Sequence, residues 1–277
     1  MCVGLAIERE ATALREVAMR IAREAGDLAR TVRDEAVTDG AVDTKSTETD
    51  VVTAGDRAVE RLIRQRLAEL RPGEPVLGEE EGGEGSKLEG LRWVVDPIDG
   101  TVNYLYGYPW YAVSIAAQLD GRSIAGAVVE PATGRIWSAA LGHGAFLGDK
   151  QLRVSGADRL DLALVATGFG YDRQRRIEQA RVVNQLIGEV RDIRRFGVAS
   201  LDLCAVAAGW LDGYYEVGLH RWDWAAGALI AAEAGAEVRV PAQGSADGLG
   251  DGMIVCASPG IAKELTEALI RCRAGEV

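Results

Sequence analysis

The chain has 277 residues, 48% of them hydrophobic, and its mean hydropathy is near zero, which is typical of a soluble globular protein with one large domain or two packed halves. No apolar run approaches the ~20 residues that span a bilayer, and segment 1–7 lacks the length and basic start of a signal peptide, so we expect a cytoplasmic protein without a membrane partner. The net charge of −11 disfavours nucleic acid as a partner.

Cysteines and histidines give little support for catalysis or zinc binding. The four cysteines form no C-x-x-C pair, and we interpret them as reduced packing residues. Two histidines are too few to favour a histidine-based zinc site or a Ser-His or Cys-His nucleophile. Arginines at 173, 175, 176, 191, 194 and 195 form a modest basic patch, which we interpret as a solvated helix face and strand end.

The first half of the chain is predicted to begin with helices and to continue with antiparallel strands. Apolar residues at helical spacing predict helices over 8–33 and 54–70, separated by a polar loop or irregular hairpin over 43–53. A mobile acidic loop is expected over 79–90. Short apolar runs bounded by turn residues predict strands at 75–78, 92–95, 111–119, 124–129, 135–139, 145–147 and 152–154.

The second half alternates between strands and helices. Strands are predicted at 162–166, 192–195, 213–217, 237–240 and 253–257, and helices at 175–187, 199–208, 223–234 and 260–273. This change in pattern predicts an α+β half, 1–155, and an alternating α/β half, 156–277. We expect the two halves to share one core and to form one compact unit.

The segment Trp93–Thr101, WVVDPIDGT, is the strongest sign of chemistry. A buried strand that ends in Asp96 carries this carboxylate to the edge of a sheet, and Pro97 turns the chain there. Asp99 is then placed to cap a following helix, at whose first turn Gly100 and Thr101 present backbone N–H groups. Carboxylates beside such an anion-binding helix start indicate a divalent cation bridged to a phosphate.

Three further acids occupy similar places in the predicted elements. Glu79 follows a short strand, whereas Asp56 and Asp223 each open a helix, where an aspartate by itself is most often only a cap. Because no histidine or cysteine accompanies these acids, the oxygen ligands favour magnesium over zinc or copper. Two such metal ions could clamp an attacking water and a leaving oxygen in line.

Taken in order, these motifs resemble the inositol monophosphatase family, the magnesium-dependent, lithium-sensitive sugar-phosphatase superfamily. The chain is most similar to its actinobacterial inositol-1-phosphatases, and the resemblance covers essentially the whole sequence. The matching segments are Lys45-Ser46, residues 50–56 (DVVTAGD), Gly78-Glu79-Glu80, residues 96–101 (DPIDGT) with Asn103, Gly142-x-Gly144-Ala145-Phe146, Gly197-x-Ala199-Ser200 and residues 222–227 (WDWAAG).

The resemblance implies a fold, a cofactor and a partner. The implied fold is a layered αβαβα sandwich, in the α/β (α+β) class, that forms a homodimer and holds two or three Mg²⁺ ions per subunit. Glu79, Asp96 and the carbonyl of Ile98 would hold the first ion, whereas Asp96, Asp99 and Asp223 would hold the second. Glu79 would also border a weaker third ion.

The resemblance also implies how substrate and water are handled. Thr101 and Asp56 would orient and deprotonate the attacking water, and the N–H groups of Gly100 and Thr101 would receive phosphate oxygens. Glu216 and Ala199 would contact inositol, and Lys45 matches a loop lysine near the metals. Without the resemblance, Glu216 would be an unremarkable surface acid.

The implied reaction is hydrolysis of myo-inositol 1-phosphate. The same chemistry on histidinol phosphate, fructose 1,6-bisphosphate or 3′-phosphoadenosine 5′-phosphate stays open, because members of the superfamily use all of these substrates. A catalytically silent, protein-binding member is the alternative from another class, but such members tend to lose ligands that are intact here.

Overall fold

The protein is built around two large β-sheets. The computed structural model describes residues 2–38, 42–44, 51–83 and 89–277, with side chains over 10–33, 54–83 and 89–277. The helices are α1 (Cys2–Thr38), α2 (Ala54–Leu70), α3 (Thr101–Leu105), α4 (Arg173–Leu186), α5 (Ala199–Ala207), α6 (Arg221–Glu233) and α7 (Pro259–Arg271). The strands are β1 (Val42–Thr44), β2 (Val51–Thr53), β3 (Val76–Gly78), β4 (Leu91–Asp99), β5 (Ala112–Leu119), β6 (Arg122–Glu130), β7 (Arg135–Ala140), β8 (Ala145–Leu147), β9 (Lys150–Gln151), β10 (Leu164–Thr167), β11 (Asp192–Arg194), β12 (Gly213–Val217), β13 (Glu237–Arg239) and β14 (Met253–Ala257).

The first large sheet has seven strands in the order β3-β4-β5-β6-β7-β8-β9. Its neighbours are antiparallel except for β3 and β4, which run parallel with Gly78 opposite Val95. The residues that follow this pair, Glu79 and Asp96, are therefore delivered to the same edge of the sheet.

Strand β4 is four residues longer at its carboxyl end than the predicted strand over 92–95. Pairing with β5 continues at Asp96 and Asp99, but the register shifts between these two residues. Pro97 has no N–H group to donate to the ladder, which accounts for an irregularity at this point. The strand thus carries both aspartates, and its irregular end sets their spacing.

The second large sheet has five strands in the order β11-β10-β12-β14-β13. Strand β10 runs parallel to both β11 and β12, whereas β14 is antiparallel to β12 and β13. All of its strands follow residue 156, and all seven strands of the first sheet precede residue 155. The boundary at residue 155 remains a prediction.

Five layers result from the packing of helices on these sheets. Helices α1 and α2 cover the outer face of the seven-stranded sheet, and α4 and α7 cover the outer face of the five-stranded sheet. Between the sheets lie α5 and α6, whose side chains share one hydrophobic cluster with residues from both sheets. The predicted αβαβα sandwich is confirmed.

Some predicted boundaries were wrong for local reasons. The predicted strand at 152–154 is absent from the described structure: β9 occupies residues 150–151, and the Val154 N–H donates instead to the carbonyl of Ala234 after α6. The predicted strand at 162–166 starts late, because residues 160–162 form a 3-10 turn. Helix α6 starts two residues before the predicted Asp223.

The cysteines of the structure can be compared with their predicted packing role. Cys204, Cys256 and Cys272 are unpaired and buried, in agreement with reduced packing residues; the Cys2 side chain lies outside the described residues.

Helix α1 is long but amphipathic, with a buried stripe that includes Leu14, Ala18 and Ile21. None of the helices in the described ranges combines the length and apolar character that crossing a membrane requires.

Candidate active site

A cleft of about 330 Å³ opens at the carboxyl end of β4. Nine of the ten predicted site residues line it, namely Glu79, Asp96, Ile98, Asp99, Gly100, Thr101, Ala199, Glu216 and Asp223. The tenth, Asp56, lies behind Thr101 and contacts it. The cleft therefore gathers residues from both large sheets and from the helices between them.

Asp96 is a buried carboxylate surrounded by the other acidic residues of the cleft. Its side chain is 1% exposed, and its Oδ1 atom has no hydrogen-bond partner. Burial raises the pKa of Asp96 well above its usual range, and the negative charges of Glu79, Asp99 and Asp223 raise it further. A hydrogen bond that protonated Asp96 donates to Glu79 acts in the same direction. This carboxylate is thus placed where a positive charge would be most favourable.

Asp99 joins the two halves of the chain. Its Oδ2 atom accepts the backbone N–H of Ser200 in the first turn of α5, at 2.8 Å. Burial raises the pKa of Asp99 to about 6, although the bonds from Ser200 oppose this shift. The prediction that Asp99 caps the helix that follows it was wrong, because Gly100 is the N-cap of α3 and Asp99 instead contacts α5.

Gly100 makes this close arrangement of β4 and α5 possible. Its φ is +90°, a left-handed conformation that residues with a Cβ rarely adopt. A Cβ at this position would also lie 2.7 Å from Cγ2 of Val198, the N-cap of α5. The glycine is thus required both by its backbone conformation and by the approach of α5.

Thr101 and Asp56 form a buried polar pair. The Thr101 hydroxyl lies 3.2 Å from Asp56 Oδ1 and 3.1 Å from the carbonyl oxygen of Ile98. Asp56 is fully buried and Thr101 is 5% exposed. Asp56, in the first turn of α2, therefore accepts a hydrogen bond from a residue of the cleft.

Asp223 lies in the first turn of α6. Its Oδ2 atom accepts the backbone N–H of His220 at 2.6 Å, and the two residues form a reciprocal capping box. Asp223 thus caps the helix from the N3 position, whereas the sequence predicted it as the residue that opens the helix, a place that His220 takes as N-cap. Burial raises the pKa of Asp223 well above its usual range, and the charges on Asp99 and Glu79 add to the effect. Asp223 thus combines a capping bond with membership of the acidic cluster.

Glu216 on β12 is a buried cleft residue, so the expectation from the sequence alone of a surface acid was wrong. Its Oε2 atom accepts the hydroxyl of Tyr214 at 2.7 Å. Burial raises the pKa of Glu216 to about 7, a shift that the Tyr214 bond and the charge of Arg195 oppose. The tyrosine therefore fixes one oxygen of Glu216 at the cleft wall.

Asp202 was missed by sequence reasoning. It lies on α5 with 1% exposure, and neither carboxyl oxygen has a hydrogen-bond partner. Burial raises its pKa well above the usual range, as do the charges of Glu216 and Asp99. An acid inside the apolar run ASLDLCAVA was the available signal.

Two arginines of the basic patch also line the cleft. Arg175 and Arg195 are both among its walls, and the Arg195 guanidinium lies over the ring of Phe169, 5.8 Å from its centroid. Both side chains are exposed, in agreement with the predicted solvated face, and they also border the cleft. The fold brings the start of α4 and the segment after β11 to the same opening, which no local pattern predicts.

The donor set fits a hard divalent cation in its chemistry. Carboxylates and a carbonyl are the ligands that Mg²⁺ prefers, and the unpartnered Asp96 Oδ1 is a buried acceptor without a donor. Within the described ranges, no three carboxylates, imidazoles or thiols are already arranged so that they could hold a metal ion. The acids thus share the cleft without forming a closed ligand set. Lys45, also expected near the metals, lies outside the described residues.

Comparisons with known proteins agree with this site. The family model described as "Inositol monophosphatase family" matches residues 10–274. An inositol-1-monophosphatase of Mycobacterium leprae is 52% identical over 93% of this chain and 94% of its own length, and the Nus factor SuhB of Pasteurella multocida is 38% identical over 94% and 97%. The solved structure of Mycobacterium tuberculosis SuhB superimposes with a TM-score of 0.80 and 48% identity over 94% of this chain and 97% of its own. The chain belongs to the inositol monophosphatase family, a family of phosphatases.

Proposed function

We propose that the protein is a Mg²⁺-dependent phosphomonoester hydrolase whose substrate is myo-inositol 1-phosphate. The observation that carries this proposal is Asp96, a buried carboxylate with an unpartnered oxygen at the centre of an acidic cleft. An acidic cleft repels a phosphate unless cations intervene. The name of the M. leprae relative, inositol-1-monophosphatase, supports the choice of substrate.

The proposed metal ligands divide into two groups that share Asp96. Glu79, Asp96 and the Ile98 carbonyl would hold one Mg²⁺, and Asp96, Asp99 and Asp223 a second, with Glu79 also bordering a third. When bound, these ions neutralise phosphate charge and lower the pKa of a water molecule. The raised pKa values of Asp96 and Asp223 show that their ionised forms are unfavourable by themselves, and bound cations would stabilise these ionised forms.

Thr101 and Asp56 are proposed to handle the proton of the attacking water. The water donates its proton to Thr101 Oγ1 while the Thr101 hydroxyl proton passes to Asp56 Oδ1, a contact of 3.2 Å. The hydroxide equivalent attacks phosphorus, the bond to the leaving alcohol oxygen breaks, and that oxygen takes a proton from solvent water. The N–H groups of Gly100 and Thr101, which line the cleft, would receive phosphate oxygens.

Glu216 and Ala199 are proposed to bind the alcohol part of the substrate. Both line the cleft on the side of the five-stranded sheet and α5. The Tyr214 hydroxyl occupies one oxygen of Glu216, which orients the carboxylate and leaves its other oxygen to accept a substrate hydroxyl. Asp223, at the start of α6, would also contact the substrate.

A panel of phosphate esters tests the proposal. Phosphate release is measured with Mg²⁺ and with EDTA, on inositol 1-phosphate, glycerol 2-phosphate, histidinol phosphate, fructose 1,6-bisphosphate and 3′-phosphoadenosine 5′-phosphate. We expect the highest kcat/KM for inositol 1-phosphate, with activity lost in EDTA and restored by Mg²⁺. Absence of Mg²⁺-dependent release from every ester would refute the hydrolase assignment.

One observation favours a second substrate class. Arg175 and Arg195 line the same cleft as the carboxylates, and a substrate with a second phosphate could pair with them. A higher kcat/KM for either bisphosphorylated compound than for inositol 1-phosphate would favour this alternative with the same chemistry.

The partner proposals are a small phosphorylated polyol and a second copy of the chain. The homodimer rests on the family and is tested by light scattering after size exclusion. The name of the P. multocida relative, a Nus factor, keeps a protein-binding role as an alternative, which a catalytically inactive but folded wild-type protein would favour.

A further inference from the structure

An ion pair on α2, whose carboxylate is fully buried, holds the turn that carries Glu79. Residues 78–82, here named the 78–82 turn, follow β3 directly, and the Gly78 N–H closes the turn on the carbonyl of Gly82 at 3.0 Å. The turn is packed against α2, where Glu60 is fully buried and Arg64 is its partner. Neither residue lines the cleft.

Glu60 accepts hydrogen bonds from the two backbone N–H groups that follow Glu79 in the chain. The Glu80 N–H donates to Oε2 at 2.7 Å, and the Glu81 N–H donates to Oε1 at 3.0 Å. Arg64 Nε donates to the same Oε1 at 2.8 Å. Both oxygens of this carboxylate are therefore used, and two of their three donors are backbone groups of the 78–82 turn.

Arg64 holds the two ends of the same segment. Its guanidinium donates to the Gly82 carbonyl at 2.5 Å and to the Val76 carbonyl at 3.3 Å. It also pairs with the Glu81 carboxylate at 3.3 Å. One side chain thus ties the start of β3 to the end of the turn, so that Glu79 lies between two fixed points.

Gly78 shows how tightly the pair fits the turn. A Cβ at Gly78 would lie 2.2 Å from Glu60 Oε1 and 2.9 Å from an Arg64 nitrogen. The parallel pairing of Gly78 with Val95 on β4 then sets the position of the turn relative to Asp96. A fixed path therefore runs from Glu60 through the backbone to the side chain of Glu79.

We propose that Glu60 and Arg64 are positioning residues that orient Glu79 for metal binding. This inference rests on the proposed function, because it takes Glu79 as a metal ligand. A ligand held in place loses less conformational entropy on binding, and loss of such supporting contacts typically weakens metal affinity about 10–100-fold. The sequence signal is an acid on the buried face of α2, beside Val59 and Ile63.

The test compares Glu60→Gln with Glu69→Gln. Glutamine at position 60 removes the negative charge and leaves one acceptor oxygen for three donors. Glu69 lies on the same helix, where it pairs with Arg66 at the surface, so its replacement makes the matched control. Binding of Mn²⁺ to the metal-free proteins is measured by calorimetry, and the Mg²⁺ dependence of phosphate release is measured beside it.

We expect Glu60→Gln to weaken Mn²⁺ binding and to raise the half-saturating Mg²⁺ concentration about tenfold or more. Because the reacting groups are intact, kcat at saturating Mg²⁺ should stay within about threefold of wild type, and KM should change little. Glu69→Gln should match wild type in all measurements. A purely structural role for Glu60 would lower the unfolding temperature without changing metal affinity in the folded fraction.

Two further variants keep the proposal open to refutation if Glu60→Gln does not fold. Gly78→Ala keeps the charge of Glu60 but displaces the turn, and Arg64→Gln removes the contacts at its two ends. Both should weaken Mn²⁺ binding. If the folded variants bind Mn²⁺ as tightly as the wild-type protein does, the inference is overturned, even if the enzyme is active. If the wild-type protein has no phosphatase activity, the proposed function alone is refuted.

Discussion

Asp96 is the residue whose charge matters most to the proposed chemistry. Replacing it by Asn keeps the size of the side chain but removes the charge assigned to both metals. We expect phosphate release to fall about 100-fold or more. The metal-free variant should unfold at the same or a higher temperature, because a neutral amide relieves repulsion from Glu79, Asp99 and Asp223.

Phosphate-release kinetics and thermal unfolding, measured on the same preparation, check this prediction. Asp161→Asn is a matched control, because Asp161 is an exposed aspartate paired with Arg159 at the surface. Near-normal turnover by a folded Asp96→Asn protein would contradict the role of Asp96.

Glu216 should contact the alcohol part of the substrate and not its phosphate group. A hydrogen bond to a charged group contributes about 1.5–3 kcal/mol, so Glu216→Gln should lower kcat/KM for inositol 1-phosphate about 10–100-fold. The loss on glycerol 2-phosphate should be smaller. Tyr214→Phe, which frees the bound oxygen of Glu216, should cause a weaker effect in the same direction. Equal losses on both esters would reject this role.

The site was predictable where one short segment carried the signal. DPIDGT places two aspartates and a threonine within six residues, and all three reach the cleft. Arg175 and Arg195 could not be found in this way, because their approach to the cleft depends on how α4 and β11 pack. The same cause explains Asp99, whose partner Ser200 no local pattern reveals.

Helix α1 supports the active-site helix α3 through one arginine. Arg33 donates to the carbonyls of Asn103, Tyr104 and Tyr108, at 3.2, 2.9 and 2.9 Å respectively. Its guanidinium also lies over the rings of Tyr104 and Tyr111. The carboxyl end of α3, which begins with Thr101, is thus held by a cation near the negative end of the helix, and its bonds add to those that Asn103 and Tyr104 accept from the backbone.

Arg33→Met should therefore destabilise the fold and reduce turnover together. It removes three hydrogen bonds and two cation–π contacts, and we expect the unfolding temperature to fall by at least about 5 °C. Arg30→Met is the matched control on the same helix, since Arg30 contacts only Asp27 at the surface among the ion pairs of the described residues. Equal unfolding temperatures for the two variants would contradict this role.

Elements were predicted well where sequence periodicity and burial agree. The pattern placed α2 and β12 at their observed bounds, because their apolar spacing is regular and Pro72 or Gly213 marks an end. It misplaced the start of α6, because a capping box with His220 extends the helix ahead of its apolar run. The end of β4 was missed because Pro97 signals a turn, whereas pairing with β5 resumes after it.

The whole molecule should be less stable without metal as the pH rises. Burial raises the folded-state pKa of Asp99 to about 6 and that of Glu216 to about 7, above their ordinary values of 3.8 and 4.5. Between the ordinary and the raised pKa of each group, the folded state binds more protons than the unfolded state. Protonation therefore stabilises the folded state, and this stability is lost as the pH increases. Asp96, Asp202 and Asp223 shift in the same direction.

We therefore expect the EDTA-treated protein to unfold at a temperature on the order of 5 °C higher at pH 5.5 than at pH 7.5. Saturating Mg²⁺ should reverse this order, because it binds ionised carboxylates and stabilises the folded state most at high pH. Thermal unfolding at constant ionic strength checks both halves of the prediction. Stability of the metal-free protein that increases from pH 5.5 to pH 7.5 would contradict it.

The hydrogen bond between Asp99 and Ser200 joins residues that are 101 positions apart. At a synthesis rate of about 5–20 residues per second, Asp99 is added to the chain roughly 5–20 seconds before Ser200. During this interval the strand that carries both aspartates has neither α5 nor Asp223 beside it. We expect metal affinity, and with it activity, to emerge late in synthesis, when the second half of the chain has docked.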